Sequence, residues 1–142
     1  MLTFKKYFKN KKILITGHTG FKGSWLTLWC YLLGAKVFGI SNNITSNPSH
    51  FLKLNLQNKV KNFNCDIRNL KKVKKIFTKV QPDFIFHLAA QSIVSKSYLN
   101  PLETFQTNVM GTLSLLEAIR QVEFDVNYVF ITSDKCYENK EW

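Results

Sequence analysis

Short apolar runs alternate with longer stretches of helical periodicity along this chain. Five of the runs have the length of buried strands and are bounded by turn-forming or polar residues. These predicted strands are residues 12–16, 36–40, 60–65, 83–87 and 126–131. The run at residues 60–65 is the weakest of the five. Because the others are apolar in their middle rather than alternating, we expect both faces of the sheet to be covered.

Three helices are predicted between the strands. Residues 24–33 form a mostly apolar helix that Gly34 would close, at the position after a helix where glycine is favoured. Asn69 would cap a second helix, whose apolar residues to Val80 share one face. The third helix, residues 101–120, carries an apolar stripe at Leu102, Phe105, Val109, Leu113 and Leu116.

The alternation of strands and helices predicts an α/β fold with a doubly wound parallel sheet. The chain has 142 residues, of which 45% are hydrophobic, and this fits one domain. Cys30, Cys65 and Cys136 form no close pair, so reduced thiols and a cytoplasmic location are expected. The longest apolar stretch, residues 25–33, is about half of the ~20 residues that a membrane span needs. We therefore expect no membrane partner.

The net charge of +11 is unevenly distributed. Residues 1–80 contain sixteen Lys or Arg and one acid, whereas residues 81–142 contain four basic and eight acidic residues. One interpretation is a surface for nucleic acid or another anionic ligand. The other is a lysine-rich composition, since the chain has 18 Lys against 2 Arg, as AT-rich coding produces. The second interpretation is simpler, and no nucleic-acid partner is expected.

A glycine-rich turn follows the first predicted strand, with Gly17, Gly20 and Gly23 in the spacing GxxGxxG. Glycine permits a tight strand-to-helix turn, a close approach of backbone N–H groups to a pyrophosphate, and close packing of the helix on the sheet. The amino end of the helix adds a partial positive charge. The turn therefore predicts a dinucleotide site, although glycines that serve the shape of the turn alone are the competing interpretation.

The residues after the second strand leave the choice of cofactor open. An acid there would bind the ribose hydroxyls of NAD, and an Arg would bind the 2′-phosphate of NADP. This chain has Ser41, Asn42 and Asn43 instead, so NAD is expected without excluding NADP. Asp66 follows the third strand, where an adenine can be held, although an Asp at such a place is also a common cap or turn residue.

Five segments stand out: TGHTGFKGSWL, CDIRN, HLAAQS, SYLNPLETFQTNVMGT and TSDKCYENKEW. Together they resemble the extended short-chain dehydrogenase/reductase family, and within it the branch of the CDP-glucose 4,6-dehydratases. GHTGFKGSW and TSDKCYENKEW are specific to that branch, whereas HLAAQS and TNVMGT occur more widely among nucleotide-sugar dehydratases and epimerases. The resemblance spans essentially the whole chain and implies a Rossmann-type NAD(P)-binding fold.

The resemblance also implies which residues hold the cofactor. Those that match the family's motifs are Gly17, Thr19, Gly20, Phe21, Lys22, Gly23, Asp66, Ile67, Leu88, Ala89, Ala90 and Asn108. The glycine loop would bind the pyrophosphate, and residues 66–67 would contact the adenine. Residues 88–90 would run beneath the cofactor, and the side chain of residue 108 would join the hydrogen bonds of the active site.

Three further residues match the catalytic segment of the family. Ser133 would hydrogen-bond the C4 oxygen of the sugar, Asp134 would protonate the departing C6 hydroxyl, and Lys135 would move the C5 proton. A lysine can act as a base only where burial or nearby charge lowers its pKa. Without the resemblance, a surface ion pair would be the simpler interpretation of Asp134 and Lys135. The substrate implied is CDP-glucose or a related nucleotide-sugar, and no metal is implied.

The family's catalytic Tyr and Lys form a YxxxK motif, and the only pair here with that spacing is Tyr7 and Lys11, before the first strand. We interpret that pair as chance. The chain is therefore expected to be the amino-terminal part of a dinucleotide-binding domain, without the later strands and the substrate-binding domain. It is either a fragment of a longer protein or the product of a truncated gene. It is expected to be inactive alone and to dimerise as a full-length enzyme. Alternatives are another dehydratase or epimerase of the family, or a non-catalytic polyanion-binding module.

Overall fold

The fold is built on one sheet of five parallel strands. A computed structural model describes residues 2–44 and 46–141, without the side chains of Leu2 and Lys135. The strands are β1 Lys12–Thr16, β2 Lys36–Ser41, β3 Lys61–Asn64, β4 Phe84–His87 and β5 Asn127–Phe130. Their order is β3-β2-β1-β4-β5, and every neighbouring pair is parallel. The predicted doubly wound α/β fold is confirmed, and all five predicted strands are present within two residues of their expected ends.

Helices cover both faces of the sheet. They are α1 Leu2–Phe8, α2 Phe21–Leu32, α3 His50–Lys53, α4 Leu70–Val80, α5 Val94–Leu99, α6 Pro101–Phe105 and α7 Gly111–Arg120. A π-helical turn, Gln106–Met110, joins α6 to α7, and short 3₁₀ turns lie at Leu56–Asn58 and Asp134–Cys136. Helices α1, α3 and α5 were not predicted, because each is shorter than the two to three turns that reveal a helical period.

Two apolar layers hold the helices to the sheet, one on each face. Along β1 the alternate residues Ile13 and Ile15 pack with Cys30 of α2, whereas Leu14 packs on the other side with Phe77 of α4 and Leu115 of α7. These Ile, Leu and Phe side chains are fully buried, and Cys30 is nearly so. Burial of each such Leu, Ile or Phe side chain contributes about 1.5–3 kcal/mol to folding. The central strand is therefore buried on both faces, as its uninterrupted apolar sequence predicted.

Local backbone signals explain where two helices begin and end. Asn69 caps α4 as predicted, because its side-chain oxygen accepts a hydrogen bond from the N–H of Lys72 at 3.0 Å. Gly34 follows α2 with a φ of +82°, which confirms the predicted glycine stop. Helix α2 begins at Phe21, three residues before the predicted start at Ser24, and Gly20 is its cap residue.

The predicted helix over residues 101–120 is interrupted by the π-helical turn, and its apolar stripe does not face the core. The five stripe residues are 41–68% exposed. The buried positions of α7 are instead Gly111, Leu115 and Ala118, which lie on one face and pack toward α4. The helical period revealed an apolar stripe but did not show which side of the helix packs on the sheet, since leucines occur on the buried and on the exposed side.

Substituting Gly111 by alanine is expected to destabilise the fold by about 1–3 kcal/mol through overpacking. A Cβ at this position would lie 2.6 Å from Cδ1 and 2.8 Å from Cγ1 of Ile67. Urea unfolding measures the effect, and Ile67→Val, which removes Cδ1, is the matched partner in a double-mutant cycle. The cost of Gly111→Ala should shrink in the Ile67→Val background, and equal costs in both backgrounds would refute the contact.

Three other expectations from the sequence concern membrane spans, cysteines and the Tyr7–Lys11 spacing. No helix among residues 2–44 and 46–141 is long and apolar enough to cross a membrane. Cys30 and Cys65 are buried, Cys136 is exposed, and all three are free thiols. Tyr7, whose spacing to Lys11 imitates a YxxxK pair, packs against Phe84 at the amino end of β4. That end of the sheet is opposite to the glycine turn, so the structure supports the interpretation of this spacing as chance.

Candidate functional site

The sheet order reverses between β1 and β4, and the candidate site lies where these strands end. Parallel sheets bind ligands in the crevice outside the carboxyl ends of the strands at such a reversal. Here the glycine turn leaves β1 on one side of the crevice and the segment Leu88–Ala90 leaves β4 on the other. The two segments touch, because a Cβ added to Gly17 would lie 2.7 Å from the backbone nitrogen of Ala89.

Two glycines of the turn have no room for a side chain. Gly17 has a φ of +70°, a left-handed conformation that residues with a Cβ rarely adopt. It also lies close to the backbone of Ala89. A Cβ on Gly23 would collide with the carbonyl oxygen of Gly17 and lie 2.9 Å from Cα of His18. Gly20 is less constrained, since its nearest neighbour would be the carbonyl oxygen of Gly17 at 3.3 Å. The closest packing therefore occurs at the first and third glycines of the motif.

The amino end of α2 is open toward the crevice. Its cap residue is Gly20, which supplies no side chain to bond the first helical amides. The N–H groups of Phe21, Lys22 and Gly23 have no earlier carbonyl in the helix to bond, and the helix dipole adds partial positive charge. The side chains of Phe21 and Lys22 are exposed, and Gly23 is buried. This geometry fits a pyrophosphate, because glycine lets the anion approach the backbone amides directly.

Thr19 faces the loop after β2 through its hydroxyl group. Its Oγ1 lies 2.7 Å from Oγ of Ser41, and both hydroxyls lie 2.7 Å from the carbonyl oxygen of Asn43, to which each can donate. The hydroxyl of Thr19 is therefore engaged in holding the loop, whatever its backbone contributes. The carboxyl end of β2, where a ribose would lie, presents hydroxyl and carbonyl groups rather than a carboxylate.

Asp66 and Ile67 lie after β3, and each has a structural contact. The carboxylate of Asp66 accepts hydrogen bonds from the backbone N–H of Arg68 at 2.9 Å and from its guanidinium at 2.6 Å. These bonds with Arg68 lower the pKa of Asp66 below its usual range, against the opposing effect of partial burial. Ile67 is buried against Gly111. The turn function of Asp66 is thus present, and both oxygens of its partly exposed carboxylate accept hydrogen bonds from Arg68.

The segment after β4 is anchored from two sides. Oγ1 of Thr16, the last residue of β1, accepts hydrogen bonds from the N–H groups of Leu88 and Ala89, both at 3.2 Å. Asn108 binds the same segment further along, with its Oδ1 accepting from the N–H of Gln91 at 2.8 Å and its Nδ2 donating to the carbonyl of Gln91 at 2.9 Å. The amide of Asn108 therefore fixes backbone at the edge of the crevice.

Ser133, Asp134 and Lys135 follow β5 at the same carboxyl edge of the sheet. Asp134 and Lys135 begin the 3₁₀ turn Asp134–Cys136, and Ser133 and Asp134 are exposed. Oγ of Ser133 lies 3.5 Å from a carboxylate oxygen of Asp134. The side chain of Lys135 lies outside the described residues. The structure therefore places the three residues at the edge shared with the glycine turn, across the ends of β4 and β1.

Sequence reasoning assigned no role to the three histidines, all of which lie close to this edge. His18 is 1% exposed and its Nε2 lies 2.8 Å from Oδ1 of Asn62. Nδ1 of His50 lies 2.7 Å from Oγ of Ser24, and its ring is 4.4 Å from that of Trp25. The sequence signal that could have identified His18 and His87 is a polar side chain at the end of, or shortly after, a buried strand.

The fold and the glycine turn define a Rossmann-like α/β protein with its candidate site at the topological reversal. The sequence model of GDP-mannose 4,6-dehydratase matches residues 14–141. The chain therefore belongs to this family of nucleotide-sugar dehydratases and epimerases. It is 44% identical to the CDP-glucose 4,6-dehydratase of Salmonella typhimurium over 97% of its own length and 38% of that relative.

Solved structures agree on the fold. A UDP-glucose 4-epimerase of Stenotrophomonas maltophila with bound NAD superposes with a TM-score of 0.81 at 23% identity, over 93% of this chain and 40% of the epimerase. The UDP-glucose 4-epimerase of Thermus thermophilus in complex with NAD has a TM-score of 0.68 at 33% identity, over 78% and 34% of the two chains. The chain thus spans about two fifths or less of the length of these proteins.

Proposed function

We propose that these 142 residues bind NAD as the amino-terminal, cofactor-binding part of a CDP-glucose 4,6-dehydratase. The observation that carries the proposal is the contact between Gly17 and Ala89 at the topological reversal, beside the uncapped amino end of α2. The 44% identity to a CDP-glucose 4,6-dehydratase and the NAD-bound epimerases among the similar structures support it. NADP stays open, since the loop after β2 carries neither an acid nor an arginine.

Each part of the site would contact a different part of the dinucleotide. The amides of residues 21–23 would bind the pyrophosphate, and the hydroxyl and carbonyl groups at Ser41 and Asn43 would face the ribose. Asp66 and Ile67 would contact the adenine, and Leu88 to Ala90 would lie beneath the rest. Asn108 would act through the backbone of Gln91, which it holds by two hydrogen bonds.

The residues after β5 would act on the sugar. When bound, NAD would supply the hydride acceptor for oxidation at C4 and, as NADH, the hydride donor for reduction at C6. Ser133 would donate a hydrogen bond to the C4 oxygen, Lys135 would remove the C5 proton that the C4 ketone acidifies, and Asp134 would protonate the C6 hydroxyl as it departs as water. Removal of the proton from the C4 hydroxyl requires the Tyr–Lys pair of a YxxxK motif, and the only pair with that spacing in the printed sequence is Tyr7 and Lys11, at the opposite end of the sheet.

Turnover by these 142 residues alone is therefore expected to stay at background. The test is incubation of the purified chain with CDP-glucose and NAD, with detection of the 4-keto-6-deoxy product. The full-length protein is the control, and it should convert CDP-glucose in preference to the UDP, GDP and dTDP analogues. Product above background from the 142 residues would refute the inactivity, and preference for another nucleotide would replace CDP-glucose as the substrate.

A second candidate function, binding of a polyanion, rests on the basic half of the chain. Lys71, Lys75 and Lys79 lie exposed on α4, which packs on the face of the sheet opposite to α2. Phosphate binding of this kind would weaken steeply with salt and would not compete with NAD. We favour the dinucleotide, because the glycine turn has the shape that its pyrophosphate requires, whereas exposed lysines on a helix need no ligand.

We also propose that the full-length protein is a homodimer in the cytoplasm. Support for association comes from the apolar stripe of residues 102, 105, 109, 113 and 116, since a stripe of that exposure is typical of a surface that another chain covers. Support for the compartment comes from the three free thiols, which a reducing environment preserves. The β5 edge of the sheet, with Tyr128 and Val129 about half exposed, would pair with later strands.

A further inference from the structure

His87 links three separate elements at the edge of the site. It is the last residue of β4 and is 4% exposed. Its Nδ1 lies 2.6 Å from Oγ1 of Thr16 at the end of β1, and its Nε2 lies 3.0 Å from Oγ1 of Thr112 in α7. The ring of Phe130 in β5 packs edge-on against the imidazole at 5.1 Å.

The partners of His87 determine which nitrogen carries its proton. The hydroxyl of Thr112 donates to the carbonyl of Asn108 at 2.6 Å, so the same hydroxyl must accept from His87. Nε2 is therefore the protonated nitrogen, and Nδ1 accepts the hydroxyl proton of Thr16. All the donors point in one direction, from Thr16 through the imidazole to the π-helical turn Gln106–Met110.

Both ends of this chain of hydrogen bonds hold the segment at the crevice. At one end, Thr16 accepts from the N–H groups of Leu88 and Ala89. At the other end, the carbonyl that Thr112 binds belongs to Asn108, whose side chain binds the backbone of Gln91 on both its donor and its acceptor. Residues 88–91 are thus anchored to β1 and to the π-helical turn, and His87 lies between the two anchors.

We propose that His87 is a positioning residue, which as a neutral imidazole protonated on Nε2 joins the π-helical turn to the ends of β1 and β4 and thereby fixes residues 88–91 for the dinucleotide. That the ligand is a dinucleotide rests on the proposed function, whereas the hydrogen bonds of His87 rest on the geometry alone. The groups that face the ring from β1, α7 and β5 are two hydroxyls and a phenyl ring. Burial lowers the pKa of His87 to about 4, so the imidazole is neutral around pH 7.

A matched pair of substitutions at Thr112 tests the proposal in the purified chain. Thr112→Val keeps the shape but removes the hydroxyl, and Thr112→Ser keeps the hydroxyl. The valine variant should increase the amide exchange rate of Gln91 about tenfold and weaken NAD binding about tenfold, the effect of one lost buried hydrogen bond. The serine variant should restore both, and exchange at Leu14 in β1 should stay unchanged, which a general loss of stability would not allow.

The tautomer of His87 is measured from its ring ¹⁵N shifts in the unsubstituted protein. Protonation on Nε2 near pH 7 is expected, and protonation on Nδ1 would overturn the proposal, as would equal effects of the valine and serine variants. Absence of NAD binding by the unsubstituted chain would refute the proposed function instead. The tautomer of His87 and the amide exchange rate of Gln91 would then be sufficient to test the positioning role of His87.

Discussion

Replacing Gly17 by alanine is expected to abolish NAD binding and to destabilise the fold by about 2–5 kcal/mol. A left-handed backbone costs a residue with a Cβ about 1–2 kcal/mol, and overpacking adds about 1–3 kcal/mol. Both apply here, since Gly17 has a φ of +70° and the new Cβ would lie 2.7–2.8 Å from backbone atoms of Ala89 and Leu88. The strand-to-segment contact that forms the crevice would have to open.

Urea unfolding and NAD titration measure the two effects. Gly20→Ala is the matched control, because it lies in the same turn with a φ of −72° and its Cβ would meet only the carbonyl oxygen of Gly17 at 3.3 Å. The control should lose at most about 1 kcal/mol of stability and should still fold. Comparable losses of stability in the two variants, or a Gly17→Ala protein of normal stability that binds NAD, would contradict the described turn.

Lowering the pH from 6.5 to 4 is expected to reduce the free energy of unfolding by about 3 kcal/mol through His87 alone. Burial lowers the pKa of this histidine from 6.5 to about 4 in the folded protein. Between these values the unfolded chain binds the proton and the folded protein does not, so acid favours unfolding. The stabilisation is complete above pH 6.5 and is lost by about pH 4. Burial also lowers the pKa of His18, which adds a loss in the same direction.

Denaturant unfolding at several pH values between 7 and 4 measures this dependence. The carboxylates with lowered pKa, Asp66, Asp83 and Glu117, begin to lose their stabilisation as the pH falls below about 5. The contribution of the histidines is therefore measured between pH 7 and 5, and His87→Gln separates it from that of the carboxylates at lower pH. His87→Gln should be less stable at pH 7 and should lose less stability on acidification than the unsubstituted chain. An unchanged pH dependence in this variant would show that His87 is not buried as a neutral imidazole.

The sheet was predictable because parallel strands are buried on both faces. Residues such as Ile13 to Ile15 and Ile85 leave an uninterrupted apolar signal, and short-range turn signals at Gly34 and Asn69 mark the ends of neighbouring elements. The orientation of α7 was not predictable in the same way. Its buried face depends on the close approach of Gly111 to Ile67, a contact between residues far apart in sequence.

The glycine turn was predictable from local sequence, since a tight turn after the first strand requires glycine at fixed spacing. The hydrogen bonds around the turn could not be predicted in this way. Thr16, His87 and Thr112 are distant in sequence, and only the folded chain shows that a buried strand ends in an imidazole between two hydroxyls. Asn108 was identified by resemblance, whereas its partner Gln91 was found only through the structure.

We expect NAD to bind at the ends of β1 and β4. The most direct measurement is a titration of the ¹⁵N-labelled chain with NAD, followed by the chemical shifts of its backbone amides. Saturable shifts are expected at Gly17 to Gly23, at Asp66 and Ile67, and at Leu88 to Ala90, whereas Lys75 and Lys79 in the later turns of α4 should be unaffected. Shifts confined to Lys71, Lys75 and Lys79, or no shifts in a folded chain, would contradict NAD binding at this site.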